Sequence, residues 1–584
     1  MTSTPEAPTT LAAPQPAAAP AGDRDDRWWR NAVVYQVYVR SFADANGDGT
    51  GDLAGVRERL PYLRELGVDA LWFNPWYPSP LADSGYDIAD YRAIDPAFGT
   101  LEEAEELIAE ARALGLRTIV DVVPNHFSDQ HPWFQAALAA GPGSPERARF
   151  WFRPGRGEDG ELPPNGWQSI FGGPAWTRTV DADGRPGEWY LHLFAPEQPD
   201  LNWEHPDVWA EHEDVLRFWF DRGVAGVRID SAALPVKDPA LPEETGSEAG
   251  GEHPFTDREP LHEIYRRWRA VADSYDEPRV LVGEVWLPDP VRLARYLRPD
   301  ELHTAFNFDF LSRPWDADEL RTSIAEALAS HAPVDAPATW VLSNHDVTRP
   351  ATRYGRADTS FAFEAKRVGT PSDLALGTRR ARAAALLAMA LPGSFYVYQG
   401  EELGLPEVED IPDDRRQDPM WHRSGGRDPG RDGCRIPIPW SGDRPPYGFS
   451  APGAARPWLD PPEGWAGLTV AAQSAEPTSM LALYRNGLRL RRSAPWGPDA
   501  ALSWLPAAQS TLAFARGERF SCLVNFGPEP VPLPADAHVL IASGELEGGA
   551  VPQDTTVWLS HEAKRHEATS HEGDERRAPG RAAR

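Results

Sequence analysis

The sequence has few cysteines and no excess of positive charge. The first fact bears on the compartment of the protein, and the second on the partners that it can bind. Only two cysteines, Cys434 and Cys522, occur in 584 residues. Two are too few for a disulfide framework and favour a reducing compartment, so we expect a cytoplasmic protein. Lys and Arg total 58 against 88 Asp and Glu, a formal net charge of -30. This charge argues against nucleic acid or an anionic membrane as a partner.

Long apolar runs are also missing. No stretch approaches the roughly 20 apolar residues of a membrane-spanning helix, and the N-terminus lacks the basic start and apolar core of a secretory signal. Residues 1–27, rich in Pro and Ala, and residues 561–584, poor in core-forming residues, are predicted to be disordered tails. The remainder, in a chain that is 41% hydrophobic with 23 Trp, is predicted to form several globular domains. The sequence does not indicate an oligomeric state.

Strand and helix patterns alternate along most of the chain. Apolar residues at helical spacing predict a helix from Leu53 to a stop at Gly67, and Thr100 with Glu103 forms the capping box of a second helix. Eight strand patterns occur in the order AVVYQVYVRSF, VDALWF, RTIVDVV, GVAGVRID, RVLVGEVW, HTAFNFDF, ATWVLSNHD and GSFYVYQGEE. Eight alternating units predict an α/β fold of the TIM (β/α)8 barrel type.

Two stretches depart from this repeat. Residues 127–214, between the third and fourth strands, are rich in Gly, Pro and Trp and too long for a simple loop, which predicts an inserted domain over the barrel mouth. From residue 501 to 560 short strand patterns follow one another directly, which predicts a C-terminal antiparallel β domain. The barrel would then comprise residues 28–126 and 215–500, with a further insertion at about 401–445.

A loop after the first strand reads DANGDGTGD, Asp44 to Asp52, and places side-chain oxygens at alternate positions. This pattern is typical of a loop that wraps a hard cation. An EF-hand sensor would carry a bidentate Glu at the twelfth position and helices on both sides, whereas here the twelfth position is Gly55 and a strand precedes the loop. A solvated turn without metal is the alternative, because Asp, Asn and Gly are ordinary turn residues.

Three carboxylates, Asp230, Glu284 and Asp346, directly follow predicted strands, at the barrel end where reactive groups lie. Breaking a glycosidic bond with retention needs one carboxylate to attack the sugar carbon and one carboxylic acid to protonate the leaving oxygen, about 5 Å apart. Asp230 and Glu284, on successive strands, can meet this requirement. Arg228 points the same way as Asp230 and would orient it and keep it ionised. A single Asp at a strand end is more often a helix cap than a nucleophile, but the co-occurrence of three carboxylates at strand ends favours the catalytic reading.

These segments resemble a known family. Four of them resemble the conserved regions of the alpha-amylase family of glycoside hydrolases: DVVPNH (121–126), GVRID (226–230), GEVW (283–286) and SNHD (343–346). Three others, QPDLNW, YQVYVRSFADANGDGTGDL and SGYDIADYRAIDPAFG, resemble its α-glucosidase and oligo-1,6-glucosidase branch. GRDGCRIPIPW and the Pro, Ala and Arg content are most similar to actinobacterial α-glucosidases.

The resemblance implies roles for the residues that match these motifs. Asp230 would be the nucleophile and Glu284 the general acid and base. Asp346 would hold the 2- and 3-hydroxyls of the ring beside the scissile bond and stabilise the transition state. Around the same glucose, two histidines would bind hydroxyls and one tyrosine would stack: His126, His345 and Tyr86. Without the motifs, both histidines read equally well as structural.

The resemblance also implies how the pocket closes. In the α-glucosidase branch the residue matching Asp87 pairs with an Arg after the eighth strand and holds the 4-hydroxyl of the non-reducing end, which makes the enzyme exo-acting. Arg431 is the candidate partner, and Arg435 is the alternative. Phe171 either lines this pocket or packs in the core.

For the acidic loop the resemblance implies one structural Ca²⁺, or sometimes Mg²⁺. Its ligands would be four side chains and one backbone carbonyl, from Asp44, Asn46, Asp48, Asp52 and Thr50. The metal would tie down the loop and would not touch substrate.

The implied activity is that of an exo-acting retaining α-glucosidase acting on maltose, short α-gluco-oligosaccharides or sucrose. A glucosyltransferase or a sucrose-isomerising enzyme would use the same glucosyl-enzyme and is the alternative. Ser231, next to the nucleophile, leans towards α-1,4 linkages. A catalytically inactive barrel that serves as a transporter subunit is a third reading, which the three retained carboxylates argue against.

Overall fold

The computed structural model describes residues 27–181, 184–244, 253–363, 366–493, 496 and 500–561. Apart from Arg27 and His561, the two segments predicted to be disordered tails lie outside the described residues.

Eight short parallel strands form the centre of the molecule. With all strands numbered along the chain, they are β1 (Val33–Val37), β2 (Ala70–Phe73), β3 (Arg117–Val122), β7 (Gly226–Ile229), β8 (Val280–Gly283), β9 (Thr304–Ala305), β10 (Thr339–Val341) and β11 (Ser394–Tyr398). The ladder runs β10-β11-β1-β2-β3-β7-β8-β9. Between its two ends, the amide of Asn307 donates to the carbonyl of Thr339 at 3.0 Å. The predicted TIM barrel is confirmed.

The barrel strands are shorter than their sequence patterns. They are buried along nearly their whole length, as expected for strands covered on both faces. The pattern HTAFNFDF predicted a strand through Phe310, and this is wrong, because β9 stops at Ala305. The side chain of Asn307 there accepts from the amide of Phe310 and caps a short helix.

Helices connect and surround the strands. Thr100 and Glu103 form the predicted capping box, and Gly67 ends the first helix in the left-handed region with φ 97°. The helices are α1 (Leu53–Leu66), α2 (Leu101–Ala113), α3 (Pro132–Ala140), α4 (Pro206–Asp221), α5 (Leu261–Asp273), α6 (Pro290–Arg295), α7 (Phe308–Ser312), α8 (Ala317–His331), α9 (Pro350–Arg353), α10 (Leu374–Ala390), α11 (Pro419–Arg423), α12 (Val470–Ser474) and α13 (Met480–Arg492).

An insertion between β3 and α4 contains α3 and a small antiparallel sheet. Its strands are β4 (Phe152–Arg153), β5 (Trp176–Val180) and β6 (Pro186–Leu191), in the order β4-β6-β5. The prediction that the insertion continues to residue 214 is wrong, since α4 runs through that position. Trp219 of α4 is fully buried and its ring lies 5.6 Å from that of Trp76. Helix α4 therefore belongs to the barrel layer, and the insertion ends before it.

The C-terminal part is antiparallel, as predicted. Its main sheet has the order β12-β13-β14-β18-β16, with a separate β15-β17 pair. Hydrogen bonds from Thr556 and Trp558 to the carbonyls of Ala383 and Leu386 dock this sheet on α10. The strands are β12 (Leu502–Trp504), β13 (Thr511–Arg516), β14 (Phe520–Asn525), β15 (Val531–Pro532), β16 (Ala537–Ala542), β17 (Ala550–Val551) and β18 (Thr555–His561).

Replacing Gly377 by Ala should destabilise the fold, although Ala favours an exposed helix by about 1 kcal/mol over Gly. Gly377 lies in α10 where it crosses α9, and a Cβ there would overlap the carbonyl oxygen of Ala351. We expect a net loss of about 1–3 kcal/mol, measured by calorimetry. Gly487→Ala in α13 is the control, since its Cβ would meet only the flexible side chains of Met389 and Leu386. A Gly377→Ala protein that melts at or above the wild-type temperature would contradict this packing.

Candidate active site

Arg228 lies at the centre of the carboxylate cluster at the C-terminal end of the barrel. The register of β3 and β7 places it beside Asp121. Its Nη1 lies 2.9 Å from Asp121 Oδ1 and 2.8 Å from Asp230 Oδ1, and its Nη2 lies 2.6 Å from Glu284 Oε2. Arg228 is 1% exposed. One buried guanidinium thus brings three carboxylates together.

The cluster carries more negative than positive charge. Burial raises the pKa of Asp121 to about 6. Burial and the nearby carboxylates also raise the pKa of Asp230, by more than Arg228 lowers it. Arg228 therefore orients Asp230 as predicted, but it does not alone keep that carboxyl ionised. The group as a whole retains a proton more readily than separate carboxylates would.

Asp121 is a site residue that the sequence reading missed. It also accepts hydrogen bonds from the indole of Trp72 at 3.2 Å and the hydroxyl of Tyr86 at 3.0 Å. The available signal was the motif DVVPNH itself, since its Asp lies on a strand that ends at the barrel mouth.

The two oxygens of Glu284 have different surroundings. Oε2 contacts Arg228 and accepts from the backbone amide of Ser231 at 2.9 Å. Ser231 adopts φ 45°, a left-handed conformation. Among the described residues, Oε1 accepts a hydrogen bond only from the indole N–H of Trp286, at 3.1 Å. A charged donor and an amide on Oε2 disfavour a proton there, so a proton on Glu284 lies on Oε1.

Asp346 lies against a second cationic cluster. Its Oδ1 is 2.9 Å from Arg435 Nη2 and 3.2 Å from Arg431 Nη1, and its Oδ2 is 3.3 Å from His345 Nε2. His345 and the guanidinium groups of Arg431 and Arg435 hold the pKa of Asp346 well below its usual range, against the effect of burial. Asp346 is therefore a charged carboxylate near pH 7.

The predicted pair between Asp87 and Arg431 is wrong. Arg431 Nη2 lies 2.6 Å from Asp83 Oδ1, and its Nε lies 2.6 Å from Asp418 Oδ2. The side chain of Asp87 is fully buried and accepts from the hydroxyl of Ser79 at 2.8 Å and from two amides of its own loop. Asp87 thus shapes the loop that carries Asp83. The alternative partner Arg435 contacts Asp346 and Ser84 instead.

Gln198 links Asp83 to His126 and was also missed. Its Nε2 donates to Asp83 Oδ2 at 3.1 Å and lies 2.9 Å from His126 Nε2. Burial lowers the pKa of His126 to about 3, and it lowers that of His345 well below the usual value. Both imidazoles are neutral near pH 7, where they act as hydrogen-bonding groups.

Aromatic rings line the same pocket. Tyr86 stacks on His345, with ring centroids 5.3 Å apart and planes at 9°. Phe171 lines the pocket, and the guanidinium carbon of Arg431 lies 5.0 Å from its ring centre. Phe171 also packs on Phe194 at 5.3 Å, so it combines the two roles that the sequence left open.

Together these side chains enclose a pocket of about 260 Å³. This lies just below the about 300–1,000 Å³ typical of small-molecule sites. The Asp83–Arg431 pair closes one end. The lining comprises Asp83, Tyr86, His126, Ile170, Phe171, Phe194, Asp230, Ser231, Ala233, Leu234, Thr256, Glu284, Trp286, His345, Asp346, Phe363 and Arg431.

The acidic loop lies outside this pocket. Asp44 and Asp52 are each 4% exposed, and repulsion from Asp44 adds to burial in raising the pKa of Asp52. Within the described residues, no group of three His, Cys, Asp or Glu side chains surrounds a common point that could hold a metal ion. The carboxylates accept from backbone amides, and Asp52 caps α1. The chemistry of the loop nonetheless suits a hard cation, because its side chains offer oxygen donors and two of its acids are buried and repel each other.

The fold and pocket define a class, that of TIM-barrel proteins with a carboxylate-lined site at the C-terminal end of the strands. The alpha-amylase catalytic domain matches residues 36–497, and a domain of unknown function, DUF3459, matches residues 491–558. The chain therefore belongs to the alpha-amylase family of glycoside hydrolases, as the sequence motifs predicted.

Individual relatives agree with this assignment. The chain is 38% identical to a probable alpha-glucosidase of Rhizobium meliloti (strain 1021) over 87% of its own length and 90% of the relative. It is 34% identical to an oligo-1,6-glucosidase of Parageobacillus thermoglucosidasius, over 80% of its own length and 84% of that relative. The structure of an alpha-glucosyl transfer enzyme superposes on this one with a TM-score of 0.79. The two chains are 33% identical, and the match covers 92% of this chain and 99% of the other. No helix in the described part of the chain is long and apolar enough to cross a membrane.

Two substitutions should separate the roles of the neighbouring aspartates. Asp83→Asn weakens the ion pair that closes the pocket, and we expect kcat/KM on maltose to fall about 10- to 100-fold, since charged hydrogen bonds contribute about 1.5–3 kcal/mol. Asp87→Asn, the matched control, should mainly lower the melting temperature, because the hydrogen bonds of Asp87 in the described structure come from its own loop. Assays with maltose and thermal melts of both variants measure this. Equal losses of kcat/KM at unchanged stability would contradict the assignment of Asp83.

Proposed function

We propose that this enzyme is an exo-acting retaining α-glucosidase, which releases glucose from the non-reducing end of maltose, short α-gluco-oligosaccharides or sucrose by double displacement. The observation that carries the proposal is the pairing of Asp230 and Glu284 through two nitrogens of one guanidinium. That arrangement holds the carboxylates side by side, as a retaining mechanism at about 5 Å separation requires. The names of the two curated relatives support the same activity.

In the first step Asp230 attacks the anomeric carbon from the β face. The bond to the leaving oxygen breaks, and Glu284 gives that oxygen its proton. The proton comes from Oε1, because Oε2 is turned to Arg228 and the amide of Ser231. Arg228 holds both carboxylates and limits their motion between the two roles.

In the second step a water molecule attacks the glucosyl-enzyme from the α face. Glu284, now a carboxylate, takes the proton of the water, and the electron pair of the ester bond returns to Asp230.

The closed end of the pocket would bind the glucose itself. Asp346 stays ionised and can accept from ring hydroxyls, while the neutral His126 and His345 can each donate one hydrogen bond. The Asp83–Arg431 pair would hold the 4-hydroxyl, in the place first assigned to Asp87. A chain that cannot pass this end is cut one residue from its terminus, which gives exo action.

Transfer of glucose to a sugar hydroxyl is the second candidate function. Its support is the 0.79 TM-score to an alpha-glucosyl transfer enzyme over almost the whole chain. Water and a sugar hydroxyl compete for the same glucosyl-enzyme, so the two functions differ only in the second step. The small polar residue Ser231, beside the nucleophile, favours the cleavage of α-1,4 linkages.

Azide should separate the roles of the two carboxylates. We expect Glu284→Ala to lose about 10²- to 10⁴-fold in kcat/KM, and azide to restore turnover with α-glucosyl azide as product, since it attacks the β-linked intermediate. Asp230→Ala should lose more and yield β-glucosyl azide by direct displacement. The azide configurations are read by NMR.

The control variant is Asp238→Asn, on the same loop as Asp230, where Asp238 pairs with Arg258 at 3.3 Å outside the pocket. It should keep near-normal activity. One azide anomer from both alanine variants, or near-normal turnover in either, would contradict the assignment.

We further propose that the acidic loop binds one Ca²⁺, through Asp44, Asn46, Asp48, Asp52 and the carbonyl of Thr50. The support is the oxygen donor set and the two buried acids, Asp44 and Asp52. The ion would offset their repulsion and fix the loop after β1.

Both cysteines, Cys434 and Cys522, are buried and free. Because free thiols persist in a reducing compartment, we propose that the protein is cytoplasmic.

Chelation should lower the melting temperature more than it lowers activity at low temperature, because the proposed ion touches no pocket residue. The measurement is calorimetry with and without EDTA, alongside turnover at 10–20 °C, well below typical melting temperatures of about 45–65 °C. In Asp48→Ala, which removes an exposed ligand, the shift caused by EDTA should vanish. Loss of turnover at an unchanged melting temperature would overturn the structural role.

A further inference from the structure

A second cavity lies between the barrel helices and the C-terminal domain. It is a cleft of about 880 Å³, within the range of about 300–1,000 Å³ that is typical of small-molecule sites. Its walls include parts of α10, the segment between α12 and α13, the start of α13 and the end of β16. It shares no lining residue with the active-site pocket. The cleft is therefore a separate candidate binding site.

Arg382, on α10, is the basic side chain that lines this cleft. Its Nε donates to the carbonyl of Ser543 at 2.7 Å, which fixes the orientation of the guanidinium. In the part of the chain that the structure describes, no carboxylate pairs with Arg382, and burial lowers its pKa without an opposing acid. The guanidinium still keeps its charge near pH 7. The edge formed by Nη1 and Nη2 is thus available to an anionic ligand.

Aliphatic side chains form much of the wall around Arg382. Leu468, Met480, Leu483 and Ile541 come from three different segments of the chain. Leu468 and Ile541 are partly exposed, so an apolar ligand would remove their surface from water. Among the described residues that line the cleft, none is aromatic. A flat ring would find no aromatic partner here, and a flexible aliphatic chain fits this wall better.

Two acids in the lining limit the charge of a ligand. Glu476 and Glu545 are exposed and line the cleft. One negative charge neutralises the single guanidinium, and a second charge on the ligand would meet these acids without a cation to offset it. A phosphate monoester carries about 1.5 to 2 negative charges near pH 7. A carboxylate carries one, and its two oxygens match the edge of a guanidinium in a bidentate pair.

We propose that this cleft binds an aliphatic monocarboxylate, whose carboxylate pairs with Nη1 and Nη2 of Arg382 and whose alkyl chain lies along Leu468 and Ile541. The bound molecule contacts α10 of the barrel and β16 of the C-terminal domain together. It therefore stabilises the docking of one domain on the other. The site uses no residue of the active-site pocket and does not depend on the α-glucosidase function.

The first test uses the wild-type protein and needs no substitution. Isothermal titration calorimetry gives the Kd of sodium butanoate, hexanoate and octanoate. Each added methylene should tighten binding about two- to four-fold, as expected for a CH₂ group that leaves water. 1-Octanol keeps the chain but lacks the charge, and it should bind about 10- to 100-fold more weakly than octanoate. Octyl phosphate should also bind more weakly than octanoate.

Substitutions then locate the site. Arg382→Gln should weaken octanoate binding about 10- to 100-fold, because it removes the charged hydrogen bonds. The matched control is Arg379→Gln on the same helix, since Arg379 lies 3.8 Å from Asp554 and does not line the cleft. Octanoate should raise the melting temperature of wild type and of this control, but not that of Arg382→Gln. Glu545→Gln keeps Arg382 in place and should reduce the preference for octanoate over octyl phosphate.

Several results would overturn the proposal. These are no measurable binding of octanoate, equal binding of octanol and octanoate, or the same Kd in wild type and Arg382→Gln. Tighter binding of octyl phosphate would refute the choice of a carboxylate. Competitive inhibition of p-nitrophenyl α-glucoside hydrolysis by octanoate, unchanged in Arg382→Gln, would place the ligand in the active-site pocket and refute this site as well.

Discussion

The active site depends on one buried guanidinium. Arg228 reaches across two barrel strands and contacts Asp121, Asp230 and Glu284 within 2.6–2.9 Å. Without this cation, the three buried carboxylates would repel one another. Even with it, burial raises the pKa of both Asp121 and Asp230. Both features suit the proposed reaction, in which one carboxylate is the nucleophile while its neighbour carries a proton. The barrel provides the geometry, because parallel strands deliver their C-terminal residues to one edge.

A second ionic cluster defines the size of the pocket. Arg431 and Arg435 lie between Asp83, Asp346 and Asp418, and all of these residues except the partly exposed Asp346 are buried. Here cations and carboxylates are nearly balanced, which holds Asp346 ionised and keeps the pocket closed beside it. The two clusters thus affect Asp230 and Asp346 in opposite ways. Burial and neighbouring carboxylates raise the pKa of Asp230 beside Arg228, whereas His345, Arg431 and Arg435 lower the pKa of Asp346. A single pocket thereby holds carboxyl groups of different proton affinity next to each other.

Much of this was predictable from the sequence. The strand pattern predicted the barrel because buried parallel strands read as apolar runs, and carboxylates after such runs must meet at one end. The errors were local. Asp83 and Asp87 flank Tyr86 in one short loop, and only the path of the loop decides which of them faces Arg431. Gln198 and Asp121 act through contacts with residues far away in the chain, which periodicity does not reveal. Helix α7 occupies part of the segment that was predicted to be a strand, because the side chain of Asn307 caps the start of this helix.

The central claim is that Asp230 and Glu284 act through two successive inversions. The most direct measurement is the anomeric configuration of the glucose first released from p-nitrophenyl α-glucoside, followed by proton NMR before mutarotation. Two displacements predict α-glucose as the initial product, which then equilibrates with the β anomer. Initial release of β-glucose would mean a single displacement by water and would contradict the account of this site.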